Sequence, residues 1–99
     1  MRHIKTHRFT TAFEALPEQV KEQARKAFAL FCENQSHPSL KIERLEGYPG
    51  VWSGRITQKY RWTFHFEADA STGERICIHR VIGEQMRYIA IHKYRGFEV

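Results

Sequence analysis

The sequence places two arginines where they could share one phosphate group. Residues 51–57 and 60–67 are β-prone and are joined by a short polar segment, which predicts an antiparallel hairpin. Arg55 lies in the first strand, Arg61 lies in the second, and Lys59 lies in the segment between them. A guanidinium group presents a planar fork of donors that matches phosphate oxygens. Chemistry on a phosphodiester is therefore what these arginines could support.

The alternation of side chains decides whether the two arginines meet. In the second strand every other residue is aromatic: Tyr60, Trp62, Phe64 and Phe66. A two-residue turn would expose the apolar face of one strand to water, so an odd connection, such as three residues with a bulge, is expected. With an odd connection, Arg55 and Arg61 share the polar face. Each arginine could instead be a solvated sheet residue that pairs with a glutamate, namely Glu43, Glu67 or Glu74.

The composition bounds the class of protein. The chain has 99 residues, enough for a single domain (1–99), and 41% of them are hydrophobic. Its formal net charge is +5, so polyanions such as nucleic acids are favoured partners. No run of about 18 apolar residues occurs, and no apolar segment follows the basic start at residues 1–5. We therefore expect no membrane contact and a cytoplasmic location.

The cysteines and histidines form no metal-binding pattern along the sequence. Cys32 and Cys77 are the only cysteines, and in a cytoplasmic chain we expect two buried thiols and not a disulfide. No Cys-x-x-Cys pair or spaced Cys/His cluster occurs, so we predict neither a metal nor another cofactor. His79 is expected in the core, beside Cys77 and Val81.

The periodicity of apolar residues predicts an α+β fold. Between Pro17 and Asn34 they form one helical stripe: Val20, Ala24, Ala27, Phe28 and Phe31. A capping box at residues 11–14 predicts a short helix that precedes the helix starting at Pro17. Five segments are β-prone: 4–9, 40–45, 51–57, 60–67 and 75–82. We expect the N-terminal strand and helical hairpin to pack on one face of a small, mainly antiparallel sheet of four to five strands. Residues 84–99 could form a short helix, an edge strand or a tail.

The hairpin and its flanks resemble a known family. Leu45-Glu46-Gly47, then Trp52-Ser53-Gly54-Arg55-Ile56, then Tyr60-Arg61 resemble the RelE/YoeB/ParE toxin superfamily. Its chains commonly show a Leu-x-Gly turn, then Trp-Ser-x-Arg-Ile, then Tyr-Arg or His-Arg. Leu16-Pro17, His37-Pro38-Ser39-Leu40 and Val81-Ile82-Gly83 are also similar to the family. The resemblance covers roughly residues 5–84.

This resemblance, with the RelE-like branch favoured, implies a metal-free ribonuclease that cuts mRNA in the ribosomal A site and is held inactive by an antitoxin. Arg61 matches the family's phosphate-binding arginine, and Arg55 matches a basic residue one strand away. The expected RNA contacts are Ser53, Lys59 and His65.

The resemblance also implies catalytic residues after the last strand. The candidates are Arg87, Tyr88 and His92. Glu84 and Gln85 occupy the positions where the RelE branch begins this segment, so the register of the candidates stays open.

Two other functions remain compatible with the sequence. A ParE-like inhibitor of DNA gyrase shares the fold and has no nuclease activity, and an inactive relative would only bind an antitoxin. The expected partners are a cognate antitoxin, the ribosome and mRNA, with no small-molecule cofactor.

Overall fold

The computed structural model describes residues 1–84, which form two helices and a five-stranded sheet. The helices are α1 (His7–Glu14) and α2 (Glu18–Glu33), and a 3₁₀ turn follows at Pro38–Leu40. The strands are β1 (Arg2–Lys5), β2 (Glu43–Arg44), β3 (Trp52–Arg55), β4 (Tyr60–Ala68) and β5 (Arg75–Glu84). The strand order is β1-β5-β4-β3-β2. Among the strands of residues 1–84, only β1 pairs in parallel, with β5, so the predicted α+β fold with a mainly antiparallel sheet is confirmed. Within residues 1–84, neither helix combines the length and the apolar character that crossing a bilayer requires.

The predicted start of the first helix is wrong. Thr6, and not Thr11, is the N-cap of α1, and its Oγ1 accepts a hydrogen bond from the Phe9 N–H at 3.0 Å. The Thr6 N–H also donates to the His79 carbonyl at 3.0 Å. The chain therefore leaves the sheet and enters α1 at one residue, and Phe9, expected at the end of a strand, is a buried residue of that helix.

The aromatic side chains of α2 and β4 form the centre of the core. Phe28 and Phe31 both contact the Trp62 ring edge-on, with ring centroids 5.2 and 5.5 Å apart. Phe31 also contacts Phe64, at 4.9 Å between centroids. Trp62 is fully buried. The face of β4 that carries Trp62 and Phe64 is thus the helix face of the sheet. The opposite face is called the open face below because neither helix of residues 1–84 packs on it, although Thr63 on that face is fully buried.

An irregularity in β5 adjusts which residues lie on each face. Thr63 pairs with Val81, whereas the next residue, Phe64, pairs with His79, so Arg80 is an extra residue in the ladder. His79 and Ile82 consequently both reach the core on the helix face. Val81 shares a cross-strand position with Thr63 and not with the core histidine, contrary to the prediction that grouped Val81 with His79.

The two cysteines differ in their surroundings. Both thiols are free, as predicted, but Cys32 at the end of α2 is exposed and only Cys77 of β5 is buried. The burial raises the pKa of the Cys77 thiol to about 12. The prediction of two buried thiols is therefore correct for Cys77 and wrong for Cys32.

Gly54 lies where β3 crosses the Trp62 ring. A Cβ atom at this position would lie 2.3 Å from Cζ3 of Trp62 and 2.9 Å from Cδ1 of Ile42. We expect Gly54→Ala to lower the free energy of unfolding by about 1–3 kcal/mol, because a well-packed core can accept an added methyl only by displacing its neighbours. Denaturant titration followed by tryptophan fluorescence measures this loss.

Gly83→Ala is the matched control for this change. Gly83 also lies within a strand, and a Cβ atom there would have no neighbour within 4 Å. It should leave stability unchanged or slightly raised, since alanine has less conformational freedom than glycine in the unfolded chain. Equal losses in the two variants would contradict the packing role of Gly54.

Candidate phosphate-binding face

Arg55 and Arg61 are direct cross-strand partners. Residues 56–60 connect them, an odd number, and the Ile56 N–H donates to the Tyr60 carbonyl at 3.0 Å to close the turn. Paired residues of antiparallel strands project to the same face. The two arginines therefore share one face, as the side-chain alternation predicted. It is the open face, because the neighbouring cross-strand pair, Gly54 and Trp62, faces the helices: Trp62 belongs to the core, and Gly54 lies against its ring.

No carboxylate neutralises this arginine pair within residues 1–84. Of the three acids that the sequence offered, Glu67 pairs with His65, Glu74 pairs with Arg2, and Glu43 forms no ion pair within residues 1–84. Nη1 of Arg61 is buried and has no hydrogen-bond partner in the part of the chain that the structure describes. Two like charges directly opposite each other are destabilising, and a buried donor without a partner is costly. An anion between the two guanidinium groups would relieve both costs.

The edge of the sheet leaves Arg55 accessible from one side. The short strand β2 pairs only with Trp52 and Ser53, so β3 extends beyond its neighbour at Arg55. Arg55 also borders a surface pocket that reaches Lys26 of α2.

His65 joins a third guanidinium group to the open face. Arg80 Nη1 donates to His65 Nδ1 at 3.0 Å, so the other ring nitrogen, Nε2, carries the proton that faces Glu67 Oε2 at 2.8 Å. His65 is therefore held between a cation and an acid, and its role in RNA contact stays a prediction. Arg80 did not emerge from the sequence, because apolar residues on both faces of β5 hide the alternation there.

The other predicted RNA contacts occupy different environments. Ser53 is 3% exposed and lies in register between Glu43 and Thr63. Lys59 is exposed in the turn, where its N–H donates to Thr57 Oγ1 at 3.1 Å. Lys59 is thus exposed in the turn that joins the two arginine-bearing strands, whereas Ser53 is buried between its neighbours in the sheet. Both RNA contacts stay predictions.

The predicted acid and base candidates lie outside the described residues. These are Arg87, Tyr88 and His92. The last described residue is Glu84, which pairs with Tyr60 beside the Arg61–Gly83 pair. β5 therefore ends one residue beyond the partner of Arg61. The roles of the three candidates stay predictions.

The fold of this chain is that of known bacterial and archaeal toxins. It superposes on the YoeB/ParE toxin from Agrobacterium tumefaciens with a TM-score of 0.68 at 19% identity, covering 86% of this chain and 99% of that one. YafQ from E. coli strain BL21(DE3) gives a TM-score of 0.70 at 11% identity, covering 89% and 98%. A chain of the RelB–RelE antitoxin–toxin complex from Methanococcus jannaschii gives 0.64 at 14% identity, covering 88% and 95%.

These superpositions define the class of fold. No protein-family model and no curated protein sequence matches the chain. The chain has the RelE/YoeB/ParE toxin fold. The resemblance predicted from the hairpin motif is thereby confirmed for the fold.

Proposed function

We propose that this protein is the toxin of a type II toxin–antitoxin system and acts as a ribosome-dependent mRNA endoribonuclease that needs no catalytic metal. One observation carries the proposal: Arg55 and Arg61 face each other on the open face, and no carboxylate within residues 1–84 neutralises them. Fold alone does not fix function. The arginine pair adds to the fold a place where an RNA phosphate would be stabilised.

Cleavage of an RNA phosphodiester by its own 2′-hydroxyl requires stabilisation of charge on the phosphate and two proton transfers. The ribose 2′-hydroxyl attacks the adjacent phosphorus, the 5′-oxygen of the next nucleotide leaves, and a cyclic phosphate remains. Negative charge grows on the phosphate oxygens in the transition state, where Arg61 and Arg55 would donate hydrogen bonds. A base must take the 2′-hydroxyl proton and an acid must protonate the leaving oxygen. Arg87, Tyr88 and His92 are our proposed source of these groups.

An acidic antitoxin is the proposed partner that holds the enzyme inactive. Solved structures with this fold include the RelB–RelE complexes of Methanococcus jannaschii and E. coli. The formal net charge of +5 would attract an acidic protein segment as well as RNA. An antitoxin carboxylate near Arg61 would compete directly with the RNA phosphate.

Translation of a defined mRNA in a cell-free extract, with primer extension across the A site, tests the proposed activity. The unaltered chain should produce discrete cuts, and the double variant Arg55→Ala, Arg61→Ala should produce none above background. Arg25→Ala is the matched control, because Arg25 is an exposed arginine on α2, away from the open face. It should cut like the unaltered chain.

Two results would overturn the proposal. The first is a folded protein that leaves the mRNA intact but inhibits supercoiling by gyrase, which would assign the gyrase-inhibitor function. The second is cutting by the double variant at the rate of Arg25→Ala, which would remove the arginine pair from the reaction.

A further inference from the structure

Three metal-ligating side chains converge on the helix face of the sheet, on the side away from the arginine pair. Because β1 pairs in parallel with β5, His3 lies directly opposite Cys77, and His79 is the next residue of β5 on the same face. One ligand atom from each of the three residues lies within 4.8 Å of those of the other two. The two imidazoles stack, with Nδ1 of His3 only 3.0 Å from Nε2 of His79.

The two β5 residues of the cluster are buried, and one of their polar atoms has no hydrogen-bond partner within residues 1–84. Cys77 is fully buried and His79 is 5% exposed. The second ring nitrogen of His79, Nδ1, is also buried and has no hydrogen-bond partner among residues 1–84. A neutral imidazole pair satisfies only one nitrogen on each ring through its mutual hydrogen bond. Nδ1 of His79 is not one of the two nitrogens that face each other, so the case for a ligand site rests on the convergence of the three donor side chains.

An entry path leads from solvent to the cluster. A pocket beside it is lined by His3 and His79 together with Phe28 and Phe31 of α2, and the exposed Cys32 lies at the same pocket. The Cys32 Sγ atom is 3.5 Å from Nε2 of His3. Lys5 also borders the pocket and opposes a bound cation, but its side chain is in solvent, where its charge is screened. The remaining walls are apolar.

We propose that His3, Cys77 and His79 bind a thiophilic transition-metal ion, either zinc(II) or copper(I). A thiolate selects these two ions from the common divalent and monovalent metals, and imidazole suits both of them. In a tetrahedral zinc site with Zn–N bonds of about 2.0–2.1 Å, two ligand nitrogens lie roughly 3.4 Å apart. The two imidazole nitrogens at 3.0 Å need to separate only slightly to reach that spacing. Binding releases the thiol proton of Cys77 to water and uses both histidines as neutral ligands.

The position of this site indicates a structural ion. It would link β1 to β5, beside α2, and it is separated by the sheet from the proposed reaction on the open face. A ligand that binds only the folded chain stabilises that state. The proposal is independent of the nuclease activity, so failure of either leaves the other standing.

Titration of the purified, metal-stripped chain with zinc(II), and separately with copper(I) under anaerobic conditions against a competing chelator, tests the site. One equivalent should bind and raise the melting temperature. Cobalt(II), used as a spectroscopic probe for zinc, should show a thiolate-to-metal charge-transfer band. His3→Gln and Cys77→Ser should each weaken binding by more than the roughly 10- to 100-fold that loss of an outer ligand partner costs, and Cys77→Ser should abolish the band.

The control variants separate this site from adventitious binding. His65→Gln and His7→Gln change histidines outside the cluster and should bind like the unaltered chain. Binding of zinc alone or of copper alone supports the proposal and assigns the ion. Absence of tight binding in both titrations, or affinities that survive His3→Gln and Cys77→Ser in folded protein, would overturn it. Folding of each variant is checked by circular dichroism, and His3→Gln, at a half-buried residue of an edge strand, keeps the test informative if Cys77→Ser does not fold.

Discussion

Replacing Arg61 with alanine is expected to slow cleavage of ribosome-bound mRNA by about 100- to 1000-fold, the cost of one well-placed donor to a developing oxyanion. Nη1 of Arg61 is buried and has no hydrogen-bond partner within residues 1–84, so a phosphate oxygen that reaches it would satisfy a donor that these residues leave unpaired. A donor held in place before the reaction needs no reorganisation in the transition state. Single-turnover cleavage on purified ribosomes, followed by primer extension, measures the rate.

The conservative change Arg61→Lys separates charge from geometry. Lysine keeps the positive charge but lacks the planar fork of donors, so its rate should lie between those of the unaltered chain and of Arg61→Ala. Arg55→Ala combined with Arg61→Ala should cost less than the sum of the single effects if both groups bind one phosphate. Cleavage by Arg61→Ala at the full rate, in a protein with unchanged melting temperature, would exclude Arg61 from the mechanism.

Mild acid is expected to destabilise the metal-free protein by on the order of 3 kcal/mol, through His79. Burial, and secondarily the charges of His3 and Lys5, lower the pKa of His79 from 6.5 to about 4. The unfolded chain takes up a proton near pH 6.5, whereas the folded chain resists it until about pH 4. This contribution is therefore fully present above pH 6.5 and is lost as the pH falls toward 4. The pKa of His3 is lowered too, chiefly by burial, so its effect has the same sign.

Urea unfolding at a series of pH values, in the presence of a chelator, measures this dependence. The variant His79→Leu removes the titrating group and should flatten the decline between pH 6.5 and 4. His7→Gln, a change at an exposed histidine of α1, is the matched control and should retain the decline. A decline of equal size in His79→Leu would show that other groups carry the acid sensitivity.

The sequence predicted the arginine pair because the alternation in β4 is strict. Trp62 and Phe64 were expected to face the helices. Only a connection with an odd number of residues places the apolar side chains of β3 on that same face, and this leaves Arg55 and Arg61 together on the open face. The stripe on α2 was equally informative, since Phe28 and Phe31 contact Trp62 as the helical spacing required. Strong periodicity on two packed elements constrains their mutual orientation.

The parts that the sequence did not reveal depend on contacts between distant residues. Thr6 and Thr11 are both reasonable helix caps, and pairing of Thr6 with the His79 carbonyl selects Thr6. The cluster of His3, Cys77 and His79 has no local spacing signature, because a parallel strand pair assembles it. The extra residue Arg80 is equally invisible in a strand that is apolar on both faces. Where the sequence offers two helix caps or no clear alternation of side chains, contacts between distant residues determine the structure.

The parallel pairing of β1 with β5 also affects when the domain can fold. Arg2 pairs with Ile76, and Lys5 pairs with His79. During synthesis, β1 can therefore pair with β5 only after more than seventy further residues have been added to the chain. The hairpin of β3 and β4 can form from nearby segments, but closing β1 onto β5 is a non-local step of the kind that slows folding. During synthesis, the N-terminal strand should therefore remain exposed to proteases and chaperones until β5 has emerged.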